Sequence, residues 1–388
     1  MGLCFPRSKD DRSPSTKSLN SPSIDEYLPR RLSVVPINNT PSAEDPFCNS
    51  PGLSPQDFKD FNNRRSYPSR SVLKIEGKMG SRHQKSFEGK RVNIIGDSGP
   101  EIMRKLGIAV TCKKGLKLNL PNQDDFTIVI DENCYYFGVF DGHGNDGHEV
   151  SNYVRRYLPM QIMAHDLFEI DILRAFTDCY LKINQTLETL GSGKDAEFDT
   201  LLSGTTATSI IVKNNHLYIG HVGDSRAILG LKREDGYEAF RVTIDHKPML
   251  PEEKKRIESK KGQVKRLDND IPYRIFVKDQ NYPGLSTSRA LGDLLAQKVG
   301  VIPDPQICEM EISINTEYLI ICSDGVWEFI SDQEALETVA SFGKNVELAV
   351  EALATLAYER WIENEKDISD DITVIIVLMP SLLNFGNV

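Results

Sequence analysis

No stretch of this 388-residue chain is apolar for long enough to cross a bilayer. Its seven cysteines are scattered, with no CxxC pair, and no secretory leader precedes the first charged residues. That excludes a thiolate metal cage or a disulfide framework and points to a reducing, intracellular setting. A basic face is missing as well. The 46 Lys/Arg against 56 Asp/Glu leave a net charge of −10, which argues against nucleic acid as a partner. Internal repeats are absent.

What charge there is falls unevenly. Residues 1–100 carry 16 Lys/Arg and 11 Asp/Glu, whereas the rest carries 30 and 45. An acidic body behind a basic tail fits a cation-using domain whose tail meets an anionic surface or partner. Residues 1–95 are rich in Ser, Pro, Asn and Arg and poor in apolar clusters. Such a segment buries too little surface to offset chain entropy and is expected to be disordered. Ser-Pro and Thr-Pro steps at Ser13, Ser21, Thr40, Ser50 and Ser54, with Arg30-Arg31-Leu32-Ser33, read either as kinase sites or as ordinary disordered composition. The extreme end, Met1-Gly2-Leu3-Cys4, offers Gly2 for myristoylation and Cys4 for a second acyl chain. Arg7, Lys9, Arg12 and Lys17 add attraction to anionic lipid. Pro6 stands where the usual motif has Ser or Thr. The expectation is a cytoplasmic protein held at a membrane surface through its N-terminus.

From Ile108 the pattern turns to short strands in hairpins. Phe126 to Ile130 and Tyr135 to Phe140 flank the turn residues Asp131-Glu132-Asn133, and Thr205 to Val212 and Leu217 to Val222 flank Asn214-Asn215. Between them, Glu149 to Met163 and Ile172 to Leu190 place apolar residues at helical spacing. Ser331-Asp332-Gln333-Glu334 is a capping box, and Asn345 caps a helix whose Val346, Ala349, Leu353 and Leu356 share a face. Hairpins interleaved with paired helices predict an α+β domain, an antiparallel sheet core covered by helices, over residues 96–388.

Several strands end in carboxylates. The run Tyr135 to Phe140 delivers Asp141-Gly142-His143-Gly144. Asn122-Gln123-Asp124-Asp125 opens the strand before it, Asp324-Gly325 follows Tyr318 to Cys322, and Asp370-Asp371 precedes Ile372 to Val377. Any one of these is an ordinary turn or cap. Together, carboxylates arriving singly at the ends of apolar strands suggest one shared divalent-cation site, since Mg²⁺ keeps much of its water and needs few carboxylates.

The segments PNQDDF (121–126), FGVFDGHG (137–144), SGTTA (203–207), GDSRA (223–227), DHKP (245–248), SRALGD (288–293), CSDGVWE (322–328) and SDDITV (369–374) stand in an order that resembles the metal-dependent serine/threonine protein phosphatases of type 2C. The resemblance implies a four-layer αββα sandwich, two central antiparallel sheets flanked by helix pairs, with two Mg²⁺ or Mn²⁺ ions at one end. It implies that Asp141 bridges both ions, that the Gly142 carbonyl binds one, that Asp324 and Asp370 complete the other shell, and that Asp124 acts through water. It puts His143 where the family has a general acid; the plainer role is a hydrogen bond that orients Asp141. Asp224 and Glu328 match positions tied to a weak third ion, or serve structurally. The implied substrates are phosphoserine and phosphothreonine proteins, and the implied state is a monomer.

Three departures stand out. Gln123 replaces a common Glu, and Glu328 a common Asp. The family's phosphate-binding Arg, five residues before Asp124, is Asn119, which leaves Lys117, with Lys113 and Lys114 behind it, as substitute grip or as solvated strand-edge lysine. Lys260 to Pro283 matches a flap beside the site, or is a surface loop. The alternative to an enzyme is a catalytically silent module of the same fold that binds phosphoproteins.

Overall fold

The computed structural model describes residues 73–385 apart from 79–83, 91, 96–98, 118–119, 132–133, 192–195 and 268–271. Gly2, Cys4, the Ser-Pro steps and Asn119 lie outside the described residues. In chain order the first strands are β1 (Leu73–Gly77), β2 (Val92–Ile95), β3 (Ile108–Lys113), β4 (Asp124–Asp131) and β5 (Cys134–His143), with helix α1 (Gly99–Leu106) before β3. Helices α2 (Gly147–Met163) and α3 (Ile172–Leu190) follow. Next come β6 (Gly204–Thr205), β7 (Ala207–Lys213), β8 (His216–Val222), β9 (Arg226–Arg233) and β10 (Gly236–Arg241). Helix α4 (Pro251–Ser259) leads to β11 (Gly262–Lys265), β12 (Arg274–Val277), β13 (Pro283–Leu285) and β14 (Leu291–Gly292). After α5 (Leu294–Gln297) come β15 (Gln306–Glu311), β16 (Thr316–Cys322), α6 (Asp324–Trp327), α7 (Asp332–Ala340), α8 (Val346–Glu365), β17 (Ile372–Leu378) and α9 (Met379–Phe385).

Two antiparallel sheets dominate. One runs β15-β8-β7-β5-β4-β1-β2, with β6 and β14 extending it beside the end of β5; the other runs β10-β9-β16-β17-β3. The layers follow from side-chain alternation. Phe126, Ile128, Phe137 and Val139 point to the space between the sheets, where they meet Leu319, Ile321, Ile375 and Val377. Their neighbours Val129, Tyr136 and Phe140 turn outward beneath α2 and α3, packing on Val150, Leu158, Phe176 and Ile183. Tyr318, Ile320, Val374 and Ile376 likewise turn outward under α7 and α8, against Leu336, Leu353 and Trp361. Strands buried on both faces read as unbroken apolar runs, and the result is the expected four-layer αββα sandwich.

Local signals placed the elements well. Asn214 and Asn215 both take left-handed backbone in the β7–β8 turn (φ 51° and 63°), as a two-residue hairpin requires. The Ser331 side chain accepts from Glu334 N, and that of Asn345 from Leu348 N. The segment from Lys260 to Pro283 is more than a surface loop. Its strands β11, β12 and β13 form a third sheet over Ile257, Ile275, Ala296 and Val299.

The tail differs from expectation. Residues 73–95, placed by composition within the disordered segment, contribute β1 and β2, and β1 pairs with β4 from Leu73↔Ile130 to Glu76↔Thr127. Composition misses this because strands added at the end of a sheet take their partner from the strands already there and need little apolar sequence of their own.

Candidate active site

Four strand ends meet at one edge of the sandwich. Asp124 opens β4 directly opposite Asp141 on β5 in an antiparallel register, so both carboxylates leave the same end of the first sheet. On the second sheet β16 ends at Cys322, with Asp324 opening α6, beside β17, preceded by Asp370. The two sheets are tied here through side chains. Ser323 Oγ donates to Asp124 Oδ2 at 2.6 Å and Thr373 Oγ1 donates to the same oxygen at 2.8 Å. Asp371 accepts from Gly115 N at 2.7 Å and from Gln123 N at 2.9 Å, so it fixes the strand ends rather than lining the site.

Asp124 is fully buried, and its other oxygen, Oδ1, meets no hydrogen-bond donor among the described residues. A buried carboxylate held by one oxygen with the other bare is suited to a cation or to water that a cation holds. The electrostatics agree. Burial and Asp371 push Asp124 up to about 7, and burial with Asp224 and Asp370 pushes Asp324 up to about 8. Burial, with Asp124, Asp324 and Asp370, raises Asp141 well above the usual carboxylate range. Carboxyls that oppose one another's ionisation this strongly are relieved by a divalent ion. Among the described residues no three His, Cys, Asp or Glu side chains close on one point.

The backbone around Asp141 is fixed. Its N–H donates to Thr206 Oγ1 at 3.0 Å and its carbonyl accepts from Thr206 N at 2.9 Å. Gly142 donates to the Gln123 carbonyl at 3.2 Å, and a Cβ there would stand 2.2 Å from the Gly147 carbonyl oxygen. Gln123 has its own task, its side-chain amide donating to the Gly144 carbonyl at 2.6 Å.

His143 lies at the rim, a quarter exposed, with Nε2 2.5 Å from Asp293 Oδ2. Burial opposes the imidazolium, but Asp293 outweighs it and raises the pKa of His143. Asp293 belongs to SRALGD and sits in left-handed backbone (φ 50°). Gly204, opposite His143 on β6, keeps the pair open, since a Cβ there would come within 2.1 Å of Asp293 Oδ2 and 2.9 Å of His143 Nε2.

The Lys117 ammonium contacts Asp370 and lies 3.7 Å from Asp371, among the carboxylates. Lys247 of DHKP does the same at the far side, contacting Asp224. Against the burial penalty, Lys247 holds the Asp224 carboxyl below its usual range. Glu328 caps the end of α6, its N–H donating to the Asp324 carbonyl at 2.9 Å, and lends charge to Lys247.

Sequence reasoning missed Asp293, Ser323 and Thr373, although all three lie inside quoted motifs. It missed Arg226 too, which ties Asp245 at 2.9 Å to Asp332 at 2.7 Å and so anchors GDSRA to DHKP.

A family model, protein phosphatase 2C, matches residues 114–365; Asp370 falls just past that stretch. The chain is 33% identical over 275 residues to probable protein phosphatase 2C 73 of Arabidopsis thaliana, covering 64% of this chain and 72% of the relative. It is 30% identical over 286 residues to probable protein phosphatase 2C 35 of the same plant, covering 68% and 80%. In structure it is similar to serine-threonine phosphatase 2C from Toxoplasma gondii (TM-score 0.63, 20% identity, covering 79% of this chain and 98% of that one), a likeness of fold. With this fold, these strand-end carboxylates and a match over most of its folded part, the chain belongs to the protein phosphatase 2C family of metal-dependent serine/threonine phosphatases.

Proposed function

We propose that this chain hydrolyses phosphoserine and phosphothreonine in proteins with two divalent cations and a water nucleophile. The observation that carries the reading is Asp124, with one oxygen held by Ser323 and Thr373 and the other bare beside Asp141, Asp324 and Asp370. Asp141 would serve both ions, the Gly142 carbonyl would hold one of them, Asp324 and Asp370 would complete the other's shell, and Asp124 would act through water. Asp224 and Glu328 are the candidates for a weaker third ion.

When bound, a pair of Mg²⁺ or Mn²⁺ ions supplies an activated water and neutralises charge on the phosphoryl oxygens. The chain's own residues do the rest. Thr206 fixes the Asp141 backbone on both sides. Asp293 favours the charged form of His143 and, by engaging Nε2, leaves Nδ1 to give a proton to the departing alkoxide. The lysine and two arginines on and beside the third sheet, Lys265, Arg266 and Arg274, offer positive charge to phosphopeptides approaching an acidic domain.

The test is phosphate release from a phosphothreonine peptide with Mn²⁺, with Mg²⁺ and with EDTA, alongside an Asp324→Ala variant. Metal-dependent turnover lost in the variant supports the reading. No turnover from folded protein under either metal overturns it in favour of a silent phosphoprotein-binding module.

The sequence also supports membrane attachment through acylated Gly2 and Cys4, reinforced by the nearby basic residues. Fractionation of a Gly2→Ala variant decides this, and variant protein that stays with membranes would rule it out.

A further inference from the structure

Lys90 lies ahead of the residues that match the family model, yet its side chain reaches the back of the metal site. The ammonium donates to the Asp124 carbonyl and lies 3.3 Å from Asp125 Oδ2, with the side chains 2% and 0% exposed. A lysine so deeply buried, spending a hydrogen bond on one backbone carbonyl, holds that carbonyl in place. The segment that carries it spans both sheets. β1 adds to the first sheet beside β4, while Phe87 N donates to the Lys114 carbonyl and Lys90 N to the Cys112 carbonyl, both at 2.7 Å, along the end of β3 in the second.

The rest of the network shows what is specific to Lys90. Asp125 is also held by Arg155 Nε at 2.8 Å. Arg155 pairs in turn with Glu76 at 2.9 Å, and Glu76 with Lys74 at 2.6 Å. Asp125 thus has a second cation, whereas among the described residues no other charged group holds the Asp124 carbonyl. Ser323 and Thr373 fix the Asp124 side chain from the second sheet; Lys90 fixes its backbone from the N-terminal segment.

We propose that Lys90 is a positioning residue for Asp124 as it serves a cation, and that residues 84–90 are thereby a working part of the metal site. This rests on the reading of Asp124 as a cation ligand. Partners that orient metal ligands typically shift metal affinity by about 10–100-fold when removed.

The test is calorimetric titration of the full chain with Mn²⁺, comparing wild type, Lys90→Met, Lys90→Gln and Lys74→Met. Lys90→Met is expected to weaken Mn²⁺ binding by about ten-fold or more. Lys90→Gln, which returns a donor without the charge, is expected to recover part of that loss. Lys74→Met removes a buried lysine from the same network, separated from Asp125 by Glu76 and Arg155, and is expected to bind Mn²⁺ as wild type does. Wild-type affinity in Lys90→Met, or an equal loss in Lys74→Met, overturns the proposal. If Lys90→Met fails to fold, Lys90→Gln decides by the same comparison. Wild-type protein that binds no Mn²⁺ overturns the metal reading itself, and this proposal with it.

Discussion

His143 Nε2 and Asp293 Oδ2 stand 2.5 Å apart although 150 residues separate them in the chain. The pair engages Nε2 and favours the charged imidazole. Replacing Asp293 with Asn is expected to slow turnover of a phosphothreonine peptide, whose alkoxide needs a proton, by about 10²-fold. Turnover of an aryl phosphate, whose leaving group departs unaided, should fall far less. Equal losses on the two substrates would show that Asp293 acts only through the fold. Gly204→Ala, which crowds both side chains, should follow the same pattern.

Ser323 and Thr373 share one oxygen of Asp124. Ser323→Ala is expected to weaken Mn²⁺ binding by about ten-fold, because a looser Asp124 carboxylate meets the ion less well. Titration calorimetry reads this directly, and unchanged affinity would remove Ser323 from the account.

Lys117 pairs with the carboxylates that an ion would use. Lys117→Met should therefore tighten Mn²⁺ binding and leave KM for a phosphopeptide unchanged. A rise in KM with no gain in metal affinity would restore the alternative role as phosphate grip.

Glu253 gathers Arg256, Arg289 and Ser288 and thereby joins α4 to the SRALGD segment. Despite burial, these donors hold its carboxyl down to about 2. A depressed carboxylate contributes stability that is complete above its unfolded pKa and fades as pH falls toward the folded value. Glu253→Gln is expected to cost about 3 kcal/mol near neutrality and much less at pH about 3. Denaturant unfolding at the two pH values checks the difference.

His221 and His246 stack in the interior with ring centres 4.8 Å apart. Burial lowers His221 to about 4, and burial with His221 lowers His246 to about 2. Here the unfolded chain takes up protons that the folded one refuses, so stability should decline as pH falls from about 6.5 toward 4. The His221→Gln variant should show a shallower decline in Tm over that range, and a parallel one would clear the pair of this role.

Much of the fold was legible because its signals are local. Helix α3 spans the residues its periodicity marked, Ser331 and Asn345 cap as their motifs indicated, and Asn214-Asn215 turns the hairpin. The carboxylates Asp124, Asp141, Asp324 and Asp370 were legible for a similar reason, since each punctuates an apolar strand. By itself the sequence determined many of the elements, sheets covered by helices, and the kind of ligand offered at strand ends, because periodicity and strand punctuation are written within a few residues. Only the tertiary structure decided that Asp293 serves His143, that Lys117 turns into the carboxylates, that Ser323 and Thr373 grip Asp124, and that Lys90 from the supposed tail lies behind it. Each of these is a polar contact between segments far apart in the chain, where burial makes an unpartnered charge costly and selects whichever distant group the packed sheets bring within reach.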